Sequence, residues 1–220
     1  MYRNRKFVAL NFAPMNTINT ETKYGKKKPL SIEEVRAIRT VLSSASAPAR
    51  DRALFELAIA SSLRESDLLN LRVSDVLSGH EIKDRIHVTP QKTKRTTGAT
   101  VAFELTDYSR QCLRELIDDS ALSFGDFLFS KLRSRATPKP QLSRRAFLNL
   151  VKQWVSYIGL NPELYGTHSL RRTRPALVYA ETKNLRACQV ILGHRHITTT
   201  QEYLGIENEE ALEVFRAYQI

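Results

Sequence analysis

The sequence has few cysteines and no long apolar run, and each shortage excludes a class of protein. Its 220 residues include two cysteines, Cys112 and Cys188, and no CxxC pair, which argues against a zinc ribbon or finger. Both lie in apolar, helix-like stretches, as is typical of reduced core cysteines in a cytoplasmic protein. No run of about 18 apolar residues occurs, so no membrane-spanning helix and no membrane partner is predicted. The first residues contain no apolar segment long enough for a secretory signal.

Acidic residues are also few relative to basic ones. The chain has 34 Lys and Arg against 23 Asp and Glu, a formal net charge of +11, and 42% hydrophobic residues. Enough apolar residues are present for a folded core, while the charge favours a polyanionic partner, nucleic acid first. Because the basic residues concentrate near the N-terminus and the last 16 residues are acidic, we predict three segments. These are a flexible basic arm over residues 1–28, a folded domain over 29–206 and a C-terminal helix over 207–220.

The patterning of apolar residues predicts a mainly α-helical α+β domain with one small antiparallel β-sheet. A capping box, Ser31 with Glu34, opens the first helix. Alternating stretches over 85–89 and 100–105 predict a β-hairpin with QKTKRTTGA at its tip. A short strand is expected over 124–129, and a kink at Pro175, which lacks an N–H group. Further helix N-caps are predicted at Thr106, Ser143, Thr167 and Asn184.

Four short motifs contain residue types that serve phosphoryl chemistry. In chain order they are SSLRESDLLNL with Arg64, QKTK with Lys92, GTHSLRRT with His168 and Arg171, and LGHRHITTTQEYLG with His194 and Tyr203. Each motif alone is weak, but all four in this order and in these structural contexts are specific.

On these motifs the chain resembles the catalytic domain of the tyrosine recombinases, or phage integrases, over roughly residues 29–206. It most resembles short bacterial and plasmid-borne members that lack a separate core-binding domain. The resemblance implies the DNA breaking-rejoining fold and a site-specific recombinase that forms a covalent 3′-phosphotyrosine without metal, ATP or other cofactor. It also implies a catalytic set, which consists of Arg64, Lys92, His168, Arg171, His194 and Tyr203.

The residue types explain the roles that the resemblance implies. Two guanidiniums, Arg64 and Arg171, can each present a bidentate fork to the non-bridging phosphate oxygens. Tyr203 attacks the phosphorus and His168 is the candidate base. Lys92 protonates the departing 5′-oxygen, with Lys94 on the same segment as its rival. His194 hydrogen-bonds the phosphate.

The expected partner is double-stranded DNA, bound by a homotetramer that spans two sites, with a monomer in solution compatible with the sequence. The expected location is the cytoplasm, at the nucleoid when bound. Candidate DNA-binding residues share a basic side chain in a predicted arm, tip or helix start: Lys26, Lys27, Lys28, Lys94, Arg95, Arg144, Arg145 and Arg172. Arg172 has a structural interpretation as well, since it points about 100° away from Arg171 on a helix.

Several alternatives stay open at this point. His194 and His196 lack a third ligand, so no metal site is predicted. The C-terminal helix fits packing on its own domain or on a neighbouring protomer. Glu65, beside Arg64, and Arg174-Pro175 depart from the family's pattern. The alternative functions are a non-catalytic DNA-binding accessory protein and a relaxing topoisomerase. Three further tyrosines rival Tyr203, although packing suits them better: Tyr165, Tyr179 and Tyr218.

Overall fold

The computed structural model describes residues 27–44, 46–94, 100–131, 136 and 138–206. Within these ranges the chain is mainly helical. The helices are α1 Ile32–Leu42, α2 Ala49–Ser61, α3 Glu65–Leu69, α4 Val73–Val76, α5 Gln91–Lys94, α6 Asp107–Asp119, α7 Arg144–Tyr157, α8 Thr167–Thr182, α9 Leu185–Leu192 and α10 Ile197–Leu204, with a 3₁₀ turn at Pro162–Leu164. The strands are β1 Leu77–Ser78, β2 Glu81–Ile82, β3 Arg85–Val88 and β4 Val101–Glu104.

Local capping explains where several helices begin. At α1 the Ser31 hydroxyl accepts from the Glu34 N–H at 3.1 Å, and the Ser31 N–H donates to the Glu34 carboxylate at 2.8 Å. Such reciprocal bonds satisfy N–H groups that a helix start leaves unpaired. The predicted caps Thr106, Ser143 and Asn184 are confirmed at α6, α7 and α9. The predicted cap at Thr167 is wrong, because Gly166 is the N-cap and Thr167 is already helical.

The described residues form two small antiparallel sheets, where the sequence predicts one. The predicted hairpin is confirmed as β3 paired with β4, with Arg85 opposite Glu104 and Val88 opposite Val101. The second sheet pairs β1 with β2. The strand predicted over 124–129 is wrong, since Phe127 forms one isolated bridge with Arg72.

The core is organised around α2, which packs against α6 and α8. Residues 53–59 of α2 are all buried, so this helix is covered on every side. Trp154 of α7 meets Phe55 of α2 edge-on, with ring centroids 5.7 Å apart, a favourable geometry for aromatic pairs. The C-terminal end of α2 is therefore fixed deep in the protein, directly before the segment that carries Arg64.

Helix α8 remains helical on both sides of Pro175, which is buried within it. At the other end of the described chain, the Lys28 N–H donates to the Leu164 carbonyl at 3.0 Å. The Lys27 ammonium donates to the Glu163 carbonyl at 2.6 Å. Lys27 and Lys28 therefore lie against the folded domain, although the sequence placed them in the arm. Lys26, Arg95 and the predicted C-terminal helix lie outside the described residues.

Candidate active site

A tight turn between α2 and α3 presents Arg64. Ser62 ends α2 in the left-handed conformation, with φ +49°, and Arg64 is the extended N-cap of α3. A positive φ is uncommon for a residue with a side chain and marks a strained position. The Arg64 side chain is half-buried, and within the described residues it has no hydrogen-bond or ion-pair partner. Its guanidinium is thus available to an anion.

Arg171 of α8 is fixed by backbone carbonyls. Arg171 is buried, with 5% of its surface exposed. One Nη donates to the Ser62 carbonyl, and the other donates to the Leu192 carbonyl at 2.9 Å. Burial lowers the pKa of Arg171, and the charge of Arg64 adds to that effect, but a guanidinium stays protonated at neutral pH. The strained turn at Ser62 thus accepts a hydrogen bond from Arg171 through its carbonyl and leads directly to Arg64.

Tyr203 of α10 packs against two guanidiniums and one imidazole. The Cζ atoms of Arg171 and Arg172 lie 5.8 and 5.4 Å from its ring centroid. The His194 ring meets it edge-on, with centroids 5.4 Å apart and planes at 84°. The Tyr203 hydroxyl is buried, and Arg171 is the neighbouring side chain that favours its ionised form most. Burial raises the pKa of Tyr203, while the charges of Arg171, Arg172 and Arg64 oppose that rise.

The loop between α9 and α10 positions His194. Gly193 has φ +63°, and a Cβ atom there would lie 2.6 Å from Val101 Cγ2 of β4. The buried Gln189 side-chain amide donates to the carbonyls of His194 and Arg195, both at 3.1 Å. His194 Nδ1 is 3.1 Å from the Thr200 hydroxyl. The LGH motif therefore fixes both the loop and the imidazole.

His168 lies in the first turn of α8 and is exposed. Its side chain makes no hydrogen bond or ion pair within the part of the chain that the structure describes. The neighbouring Thr167 hydroxyl donates to the Glu65 carboxylate at 2.6 Å, and Arg144 Nε approaches the same carboxylate at 3.8 Å. The segments that carry Arg64 and His168 are thus joined by a direct side-chain bond.

Lys92 lies on the short helix α5, whereas the sequence predicted a turn at the hairpin tip. The reason is a long-range contact: the Asp67 carboxylate of α3 accepts from the Gln91 N–H at 2.9 Å. Asp67 is 4% exposed, and its second oxygen has no hydrogen-bond partner among the described residues. Sequence reasoning missed Asp67, although an acidic residue among the leucines of RESDLLNL was a signal.

The predicted DNA-binding residues divide into outward and inward groups. Lys94, Arg144 and Arg145 are exposed. In contrast, Arg172 is 9% exposed and donates to the Lys27 carbonyl at 2.9 Å. This contact fits the structural interpretation of Arg172 rather than contact with a DNA backbone.

The described residues hold neither a metal-binding cluster nor a membrane-spanning helix. No three His, Cys, Asp or Glu side chains lie together in a way that could hold a metal ion. No helix in the same ranges combines the length and apolar character needed to cross a bilayer.

Comparison with known proteins assigns the class. The chain matches the model of the phage integrase family over residues 28–210. It is 30% identical over 188 residues to "Probable integrase/recombinase YoeC" of Bacillus subtilis (strain 168), covering 86% of this chain and 94% of that one. It is 30% identical over 193 residues to "Tyrosine recombinase XerD" of Rickettsia prowazekii (strain Madrid E), covering 82% and 60%. The chain therefore belongs to the phage integrase family of tyrosine-type site-specific recombinases.

Solved structures confirm the predicted fold. The XerH site-specific recombinase bound to difH substrate superposes with a TM-score of 0.66 at 21% identity, covering 88% of this chain and 56% of that one. XerA recombinase gives a TM-score of 0.64 at 20% identity, covering 87% and 65%. The chain thus spans nearly all of YoeC but little more than half of XerD and XerH.

Proposed function

We propose that this protein cleaves and rejoins DNA at specific sites through a covalent 3′-phosphotyrosine on Tyr203. The observation that carries the proposal is the buried Tyr203 hydroxyl, which is surrounded by the guanidiniums of Arg171 and Arg172. Cationic groups beside a buried phenol favour its ionised form, which is the nucleophile. This cationic surrounding suits a nucleophile better than a packing residue.

The proposed reaction is an in-line phosphoryl transfer. The Tyr203 oxygen forms a bond to phosphorus as the bond from phosphorus to the 5′-oxygen breaks. The tyrosine proton passes to His168, and the 5′-oxygen takes a proton from Lys92, or from Lys94 on the same helix. Arg64 and Arg171 stabilise the negative charge on the non-bridging oxygens. Attack by a DNA 5′-hydroxyl on the phosphotyrosine reverses these bond changes, so rejoining needs no ATP.

Covalent trapping tests this proposal. We expect purified protein, mixed with supercoiled DNA that carries the flanks of its own gene and stopped with detergent, to be attached to a DNA 3′ end. Tyr203→Phe should abolish the adduct because the nucleophilic oxygen is lost. Tyr179→Phe is the matched control, since Tyr179 of α8 packs against Lys183 and should leave the adduct intact.

Two results would contradict the proposal in different ways. An adduct that persists in Tyr203→Phe would mean that another residue is the nucleophile. DNA binding by the parent protein without any adduct, on every DNA that carries the flanks, would favour the non-catalytic accessory role.

Double-stranded DNA is the proposed partner, and exposed Lys94, Arg144 and Arg145 are the proposed backbone contacts. Residues 1–26 would act as a basic arm and residues 29–206 as the catalytic domain.

Strand exchange between two sites needs two cleaved duplexes, so we propose a homotetramer on DNA, with residues 207–220 packing on a neighbouring protomer. Truncation after Gly205 should then abolish cooperative assembly on DNA in gel-shift assays. Retained cooperativity would count against this role of the C-terminal segment.

A further inference from the structure

Arg172 is a buried cation whose charge no carboxylate offsets. It is 9% exposed, and within the described part of the chain no acidic side chain lies within ion-pairing distance of it. One Nη donates to the Lys27 carbonyl at 2.9 Å, while the buried Nε has no hydrogen-bond partner in that same part. Burial of an unpaired charge is costly, so the group that this charge faces is of interest.

Tyr203 is the group that Arg172 faces. The Arg172 Cζ atom lies 5.4 Å from the Tyr203 ring centroid, slightly closer than that of Arg171 at 5.8 Å. A guanidinium within about 6 Å of an aromatic centroid is attracted to the ring. The attraction grows when the phenol becomes a phenolate, because a full negative charge then lies opposite the cation in a medium of low dielectric constant.

We propose that Arg172 is a positioning residue for the nucleophile: held by the Lys27 carbonyl, its guanidinium orients the Tyr203 ring and stabilises the Tyr203 phenolate. This inference rests on the proposed nucleophilic role of Tyr203. It gives Arg172 a different task from Arg171, which holds the Ser62 and Leu192 carbonyls and is expected to contact the phosphate. It also links the Lys27 backbone to the ring through one side chain.

The charges around Tyr203 agree with this assignment. Arg171 and Arg172 face it from α8, Arg64 from the turn before α3, and His194 from the loop before α10. Burial raises the pKa of Tyr203, and Arg172 is the second largest of the opposing charges, after Arg171. Loss of the Arg172 charge should therefore raise the pKa of Tyr203 further.

The test is a direct titration of residue 203. Difluorotyrosine, whose phenol is more acidic than that of tyrosine, is incorporated at position 203 in the full chain and followed by ¹⁹F NMR against pH. We expect Arg172→Gln to move the midpoint to higher pH, because glutamine keeps a donor for the Lys27 carbonyl but no charge. Arg172→Lys keeps the charge without the planar fork and should give a smaller rise. Arg174→Gln is the matched control, since Arg174 of the same helix also donates to a carbonyl, that of Ala60, and should not move the midpoint.

A midpoint in Arg172→Gln equal to that of Arg174→Gln would overturn the inference. If Arg172→Gln fails to unfold cooperatively, Arg172→Met, which also removes the charge, decides, and a midpoint equal to that of Arg174→Gln would then refute the inference. These readouts need no DNA. The trapping experiment with Tyr203→Phe tests the nucleophile separately, so failure of one proposal is distinguishable from failure of the other.

Discussion

At the scale of single residues, Glu65 and Thr167 show how side chains outside the proposed catalytic set join the segments that carry it. Glu65 follows Arg64, and Thr167 precedes His168. Their hydrogen bond of 2.6 Å joins two motifs that are 102 residues apart in sequence. Because Glu65 bonds Thr167, its carboxylate is engaged in holding the two motif segments together.

Thr167→Val should lower the free energy of unfolding by about 1.5–3 kcal/mol, since hydrogen bonds to charged groups contribute this much and the half-buried carboxylate would lose its donor. Urea unfolding at neutral pH measures the change. Thr40→Val is the control, because the exposed Thr40 hydroxyl donates to the Arg36 carbonyl one turn earlier, and its effect should stay within about 0.5 kcal/mol. Equal losses in the two variants would show that the Glu65 bond contributes nothing specific.

At the scale of elements, the connection from α6 to α7 is organised by one carboxylate. Asp126, 4% exposed, accepts from the Ser123 N–H and the Lys139 N–H, both at 2.8 Å. Burial alone would raise the pKa of Asp126, but these two hydrogen bonds and the charges of Lys139 and Arg72 together outweigh it, and the pKa lies below its usual value. The folded state therefore favours the ionised carboxylate.

A depressed pKa fixes the pH dependence of this element. The stabilisation by Asp126 is present above the unfolded pKa of about 3.9 and is lost as the pH falls through the folded pKa. We expect Asp126→Asn to lower the free energy of unfolding by about 1–3 kcal/mol at pH 7, with a gap that narrows below about pH 4. Urea titrations across this range measure it, with exposed Asp118→Asn as control. A gap independent of pH would refute the assignment.

Elements whose stabilising partners are near in sequence could be predicted, and those with distant partners could not. The caps Ser31, Thr106, Ser143 and Asn184 bond N–H groups within three residues. In contrast, α5 depends on Asp67, 24 residues away from Gln91, so the sequence predicted a turn there. The Thr167 hydroxyl was predicted to cap α8, but it donates its hydrogen bond to the distant Glu65 carboxylate instead.

The same limit applies to the candidate site. The motifs predicted Arg171, His194 and Tyr203, and the structure brings these three together. Helical periodicity separates Arg172 from Arg171 by about 100°, but it does not reveal what covers each side. Here Tyr203 of α10 packs against both guanidiniums, and the Lys27 carbonyl accepts a hydrogen bond from Arg172. Arg172 is therefore turned inward.

At the scale of the whole molecule, the net charge of +11 is concentrated at the N-terminal end. Residues 1–26 contain five basic residues against one acidic residue: Arg3, Arg5, Lys6, Lys23 and Lys26 against Glu21. Because Lys27 and Lys28 donate hydrogen bonds to the folded domain, an arm deletion should remove residues 1–26 and leave those two in place.

Deletion of residues 1–26 should weaken DNA binding and flatten its salt dependence, because each phosphate contact contributes roughly 0.9 to the slope of log K against log salt. Fluorescence anisotropy with a labelled duplex at several salt concentrations measures the slope. Replacement of the five basic residues by glutamine, at constant chain length, separates charge from length. A slope that stays at the parent value would exclude the arm from phosphate contact.

Gly193 has a consequence for how the LGH motif should be understood. Since a Cβ atom there would reach within 2.6 Å of Val101 Cγ2, the glycine sets the clearance between strand β4 and the loop that carries His194. Strand β4 and the loop that leads to Tyr203 can therefore approach this closely only because residue 193 has no Cβ atom. A side chain at position 193 would push the loop that carries His194 away from β4, so the glycine of the LGH motif serves the packing of the site as well as the turn.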